Sequence, residues 1–288
     1  MRQFLIESGY GATIFENNID IYNYIRKMEN EKTWSHLEEY RNRGNNWAGN
    51  VTYGQAMQNL LYGNKDITPQ FIEGLKNLGH DIYSNTGVFM NTEGFAYDMG
   101  AVVSGEPECC VDMKAPELKK NIKIVLDYTA NGGVDGRIII NRGIALVNLI
   151  YTLISKGYII DFNLCRVSLW NDEKGHIGSE TINKHFISIK VPTETLTVGT
   201  LGFYCSLEFF RVIMILAESM MLDLPNAPGH CCGTEDKKDY MLEDNVFLIP
   251  SFYLDGKART KCNTEEGAKE YIIGLFNEYC KQHNLEEI

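Results

Sequence analysis

Apolar positions fall into two textures along the chain. Residues 1–116 carry only short apolar runs in polar sequence rich in Asn and Gly, while from about Asn121 longer runs alternate between strand-like and helical spacing. In the first stretch, a helix is expected around Ile21 to Arg43. Another is expected over Tyr53 to Tyr62, where Ala56, Leu60 and Leu61 follow helical spacing behind Thr52 as N-cap, and a third over Phe71 to Leu78 after Pro69. Asp98 to Met113 reads as strand or loop with a turn at Gly105 to Pro107. These features predict a mostly helical accessory region over 1–116 and a second unit over 117–288.

The second unit reads more sharply. Ile122 to Tyr128 is a nearly continuous apolar run of the kind found in a strand buried on both faces. Asn141 to Lys156 spreads Ile144, Leu146, Val147, Leu149, Ile150, Leu153 and Ile154 over a broad helical arc, with Gly157 where a C-terminal cap belongs. Tyr158 to Trp170 and Lys184 to Val191 follow as strands of a hairpin, then a helix over Leu201 to Met221, a strand over Asn245 to Tyr253, and a last helix over Thr264 to His283 behind an Asn263-x-x-Glu266 cap signal. This order predicts an α/β fold with a mainly parallel sheet and helices on both faces.

In such a sheet ligands gather outside the carboxyl ends of the strands. The loop to inspect therefore runs from Asp127 to Gly143, where Asp127, Thr129 and Asn131 alternate at the end of the first buried strand. Three hard oxygen groups on one loop suit Mg²⁺ or a similar divalent ion. The same residue types also cap turns through their own backbone, which gives the loop an ordinary structural reading. Arg137 and Arg142 nearby are candidates for contact with an anion or partner, as are Trp47 and Glu106 in loops of the first region.

The order strand, Asp-x-Thr-x-Asn loop, helix, hairpin, then further helix-strand alternation resembles the von Willebrand factor type A domain over roughly residues 120–285. That resemblance implies a Rossmannoid sheet and a metal held by Asp127, Thr129 and Asn131. It would be completed by a Thr among Thr193, Thr195, Thr197 or Thr200 and by Asp255, the metal then capturing a carboxylate of a partner. A second set of phrases, YGQAMQNLLYGN, SGEPEC and NRGIALVNLI, resembles an uncharacterised family found mainly in phages and prophages, which implies a viral or mobile-element origin.

Charge and cysteine usage narrow the classes further. Asp and Glu number 38 against 27 Lys and Arg, a balance that disfavours generic nucleic-acid binding. No run reaches the length of a membrane span, and the first residues do not resemble a signal peptide. Eight cysteines in apolar surroundings suit reduced thiols, so a cytoplasmic protein without membrane attachment is expected. Zinc at Cys109-Cys110 or His230-Cys231-Cys232 lacks the usual ligand spacing. The reading is a non-catalytic binding or assembly protein with a protein partner, leaving a homo-oligomer open. The alternative is a metal-dependent enzyme acting on a nucleotide or other phosphorylated small molecule, with Asp135 or Glu106 as acid-base partner.

Overall fold

In a computed structural model, the structure describes residues 1–31, 35, 38, 51–77, 88–91, 96–97, 110–113, 121–130, 133–169, 175–177, 179–191, 197–223, 240, 245–252, 255–285 and 287–288. The central element is a six-stranded sheet. Its strands are β1 (Arg2–Glu7), β2 (Tyr10–Phe15), β6 (Asn121–Asp127), β7 (Ile159–Leu169), β10 (Lys184–Val191) and β11 (Val246–Ile249), in the spatial order β1-β2-β10-β7-β6-β11. Small separate sheets are formed by β3 (Val88–Asn91), β4 (Ala96–Tyr97) and β5 (Cys110–Met113), and by β8 (Gly175–Ile177) with β9 (Glu180–Ile182).

The main sheet is mixed rather than mainly parallel. β6 runs parallel to β7 and β11, but among the described residues it is the small hairpin of β8 and β9 that separates β7 from β10, and β10 returns antiparallel; β2 then follows β10 in parallel, and β1 opposes β2. The two strands β1 and β2 come from the stretch expected to be helical. β1 is an edge strand exposed along nearly its whole length, so it carries no inward-outward alternation to read, and a tight turn with Gly9 at φ 78° joins it to β2.

Eight α-helices are described: α1 (Asn18–Glu31), α2 (Tyr53–Tyr62), α3 (Thr68–Asn77), α4 (Gly136–Ser155), α5 (Val198–Tyr204), α6 (Ile215–Leu222), α7 (Gly256–Lys261) and the long α8 (Glu265–His283). A π-helical run, Phe209–Met214, feeds directly into α6. The sheet was expected to carry helices on both faces. Instead, buried side chains from every described helix join one cluster with Ile122, Ile124, Leu126, Phe162, Leu164, Ile187, Ile189 and Phe247 of the sheet. These positions share one face by the period-two rule. The opposite face carries a smaller cluster of Tyr10, Ala12, Val125, Cys165, Val167, Phe186 and Tyr240.

Local chemistry explains several boundaries. Thr52 and Gln55 form a reciprocal capping box at the start of α2. α4 starts five residues before the expected Asn141 because Asp135 caps it, accepting from Arg137 N at 2.9 Å. Gly157 follows its end at φ 86°, the left-handed conformation a glycine supplies cheaply. α8 is capped by Thr264, which accepts from Gly267 N at 3.1 Å, rather than by Asn263. The expected continuous helix over 201–221 is broken: α5 and the run from Phe209 meet at 52°, and Ser206 bridges the break by donating to Phe203 O at 2.7 Å and accepting from Phe209 N at 3.3 Å. Among the described residues α4 is long and apolar enough to cross a membrane, and here its apolar side chains pack in the main cluster.

Candidate functional site

The strand-end loop contains the arrangement nearest to the predicted one. Asp127 ends β6 with no exposed surface. Its Oδ1 accepts from Thr129 N at 2.7 Å, and its Oδ2 accepts from the Tyr240 hydroxyl. Ser251, after β11, hydrogen-bonds in turn to Tyr240, so the ends of two parallel strands are tied by side chains. Burial raises the Asp127 carboxyl above the usual range, against the lowering effect of Thr129, Tyr240 and the charge of Arg142. A divalent ion here would have to displace donors from a carboxylate that solvent does not reach. Asp255 is engaged separately: its Oδ1 accepts from Lys257 N at 2.9 Å at the start of α7, and its Oδ2 from the Tyr271 hydroxyl at 3.0 Å.

The other predicted residues divide in the same way. Thr197 and Thr200 are occupied at the start of α5, where Thr197 accepts from Thr200 N at 3.1 Å. Arg137 is exposed and pairs with Asp135 at 3.0 Å. Arg142 is buried, donates to Pro250 O at 3.2 Å and lies 4.0 Å over the Phe252 ring. It is therefore a tie between α4 and the segment after β11. Asn131, Trp47, Glu106, Cys109, Thr193, Thr195, His230, Cys231 and Cys232 lie outside the residues whose side chains are described.

A second constellation lies under α6 on the helix-covered face. Thr13 Oγ1 is 3.0 Å from His185 Nε2, and His185 Nδ1 is 3.0 Å from Glu218 Oε1. Arg166 Nη1 stands 3.5 Å from the other Glu218 oxygen, and its guanidinium lies 5.7 Å from the Phe210 ring centroid. The order hydroxyl, imidazole, carboxylate is that of a nucleophile relay. Here Thr13, His185 and Glu218 have no exposed surface, so no substrate reaches the hydroxyl. Burial would push the Glu218 carboxyl up, but Arg166, His185 and Ser168 together hold it below the ordinary value. The cluster satisfies charge beneath α6.

An open site lies elsewhere, where α2, the turn into α3, the start of the π-helical run and α4 converge. They enclose a cleft of about 630 Å³. Its polar wall is made of Gln55, Gln58, Asn59, Asn64 and Gln70, and Glu208 is set into it. Glu208 is only 2% exposed; Oε1 accepts from Asn59 Nδ2 at 2.7 Å and Oε2 from Asn64 Nδ2 at 2.6 Å. Asn64 is itself locked, because its Oδ1 accepts from Asp66 N at 2.8 Å and Ile67 N at 3.1 Å. Burial raises the Glu208 carboxyl; the two Asn amides pull it back, and Asp66 adds to the rise. Val51, Ile140 and Leu207 give the cleft an apolar side, and Tyr62, 77% exposed, stands on its lining.

Glu208 immediately precedes the π-helical run, a rare geometry that recurs at functional sites because it redirects side chains. The cleft also adjoins the start of α4, the helix that follows the loop after β6: Ile140 lines it, and a Cβ at Gly136 would lie 2.5 Å from Leu207 Cδ1.

One family match spans residues 8–286, nearly the whole chain. The chain belongs to the family described as domain of unknown function DUF7192. No curated protein and no solved structure matches it.

For this DUF7192 chain the sequence reading located the strand-end loop but missed the cleft and the relay. A signal for both was present. Arg166, His185, Glu208 and Glu218 are ionisable residues beside apolar neighbours in the strands and helices that carry them. Such groups persist in a core only when partnered or used.

Proposed function

We propose that this protein is a non-catalytic binding or assembly protein that receives a polypeptide segment of a protein partner in the Glu208 cleft, beside the start of α4. The observation that carries this reading is the pair of exposed amides Gln58 and Gln70 on the cleft wall, which stand beside Gln55, Asn59 and Asn64, themselves engaged with Thr52 and Glu208. Side-chain amides offer donors and acceptors together, which is the pairing a peptide backbone needs. An exposed Tyr62 beside them supplies a rigid aromatic anchor of the kind that dominates binding energy. The alternative of metal-dependent phosphoryl chemistry gains less support, since Asp127 is sealed and its oxygens are engaged.

Two finer elements belong to the same reading. The order β10-β7-β6-β11, with the hairpin strand β10 reversed, supports a von Willebrand A-like core without its metal being required. The phage-associated phrases support a mobile-element origin and action in the host cytoplasm.

The test is a photo-crosslinking amino acid placed at Tyr62 in the full-length protein, expressed in its native cell. The expected result is a discrete polypeptide adduct that disappears when Gln58 and Gln70 are changed to Ala. Crosslinking that is unaffected by those changes, or no polypeptide adduct at all, refutes the reading.

A further inference from the structure

Among the described residues Glu208 is the one buried acid of the cleft, and no opposite charge stands against it. Both its oxygens accept from neutral amides, and among the described residues it forms no ion pair. This differs sharply from Glu218, which has Arg166 and His185 against it. Lys65 also lines the cleft but makes no ion pair with Glu208, while Asp66 adds negative charge nearby. A buried carboxylate without a counter-ion is costly, and the cost is met by taking up a proton or a cation.

The donor arrangement decides which cation fits. The Asn64 carbonyl oxygen is spent on two backbone N–H groups, so its amide nitrogen must face Glu208. Asn59 likewise points its nitrogen there. Asn59 and Asn64 thus present nitrogen rather than oxygen beside Glu208, whereas Ca²⁺ or Mg²⁺ takes about six or more oxygen ligands. Each carboxylate oxygen nevertheless keeps a free lone pair, and a hydrogen-bonding organic cation needs no more than that.

We propose that the cleft is a binding site for a primary ammonium group, with Glu208 as its counter-ion and Asn59 and Asn64 holding the carboxylate in place. This deepens the binding-protein reading, on which it rests only for the source of the amine: a lysine side chain of a bound polypeptide, with a free alkylamine as the other source of the same chemistry.

Titration of the full-length protein with n-butylammonium and with n-butanol, followed by the side-chain amide NMR signals of Asn59 and Asn64, tests it. Butylammonium is expected to shift both signals and butanol to leave them in place. Because a charge-assisted hydrogen bond is being removed, Glu208→Gln should weaken the response about tenfold to a hundredfold. A Glu208→Gln protein could misfold, so the comparison of charged and neutral probes on the unaltered protein stands as an independent measurement. Equal responses to the two probes, or displacement of butylammonium by Ca²⁺ at equimolar amounts, overturn the proposal.

N-acetyl-lysine methylamide then separates the sources. Binding clearly tighter than that of butylammonium assigns the amine to a polypeptide side chain. Weaker binding overturns the polypeptide reading and leaves the ammonium site standing.

Discussion

The Tyr240 hydroxyl donates to Asp127 on the sheet face opposite the helices, closing the end of β6 from solvent. Tyr128, the next residue along, points to the other face, where its hydroxyl is equally buried and has no hydrogen-bond partner among the described residues. The two tyrosines should therefore respond oppositely to loss of their oxygen. Tyr240→Phe leaves Asp127 short of a donor and should lower unfolding stability by about 1–3 kcal/mol, whereas Tyr128→Phe should leave stability unchanged or raise it by up to about 1 kcal/mol. Urea unfolding monitored by tryptophan fluorescence measures both, and equal losses would contradict the assigned pairing.

The buried acids Asp127 and Glu218 predict opposite pH dependence. Asp127 has a folded pKa above its unfolded value, so its contribution is full at low pH and is lost as pH rises through the folded value. Asp127→Asn should flatten that decline. Glu218 is held below its unfolded value, so its contribution is present above the ordinary carboxylate range and is lost as pH falls through the depressed folded value.

Glu218→Gln strips Arg166 of a buried counter-charge and should cost about 3–5 kcal/mol near neutral pH. That gap should narrow in acid. Denaturant midpoints across a pH series would expose a wrong sign for either residue.

Thr13, His185 and Glu218 have relay spacing without access. A fluorophosphonate probe should leave Thr13 unmodified in the native protein, as read by intact and peptide mass spectrometry. Modification of Thr13 under native conditions would show that α6 opens and that the relay has a substrate.

Helix packing gives a fourth prediction. A Cβ at Gly143 in α4 would lie 2.7 Å from Cys205 Cβ and 3.0 Å from the Cys205 carbonyl oxygen, which cannot swing aside. Gly143→Ala should destabilise by about 1–3 kcal/mol through overpacking, outweighing its gain in helix propensity. Gly274 in α8 is exposed with open space around it, so Gly274→Ala should stabilise by about 0.5–1 kcal/mol. Thermal melts of the two variants should move in opposite directions.

The elements legible in the sequence were those whose own residues carry the full signal. β6, β7, β10 and α4 combine long apolar runs with local punctuation, and Thr52 and Gly157 mark helix ends by chemistry that acts within a few residues. What stayed hidden depends on distant partners. β1 is too exposed to show periodicity, and the direction of β2 is set by its pairing with β10, some 170 residues later. Asp127 was located correctly at a strand end, while its sealing by Tyr240 depends on a residue from another part of the chain. Glu208 was invisible as a site because its two amide partners come from α2 and the turn after it.

The break at Ser206 does more than end α5. Past it, Glu208 stands at the start of a continuous piece of helix and Glu218 inside its last stretch, the first facing the cleft and the second anchored to Arg166 and His185 in the sheet. The floor of the cleft is thus bolted to the middle of the sheet by a strut about three turns long. A ligand pressing on Glu208 meets the stiffness of the whole fold, as a key meets a lock set in masonry.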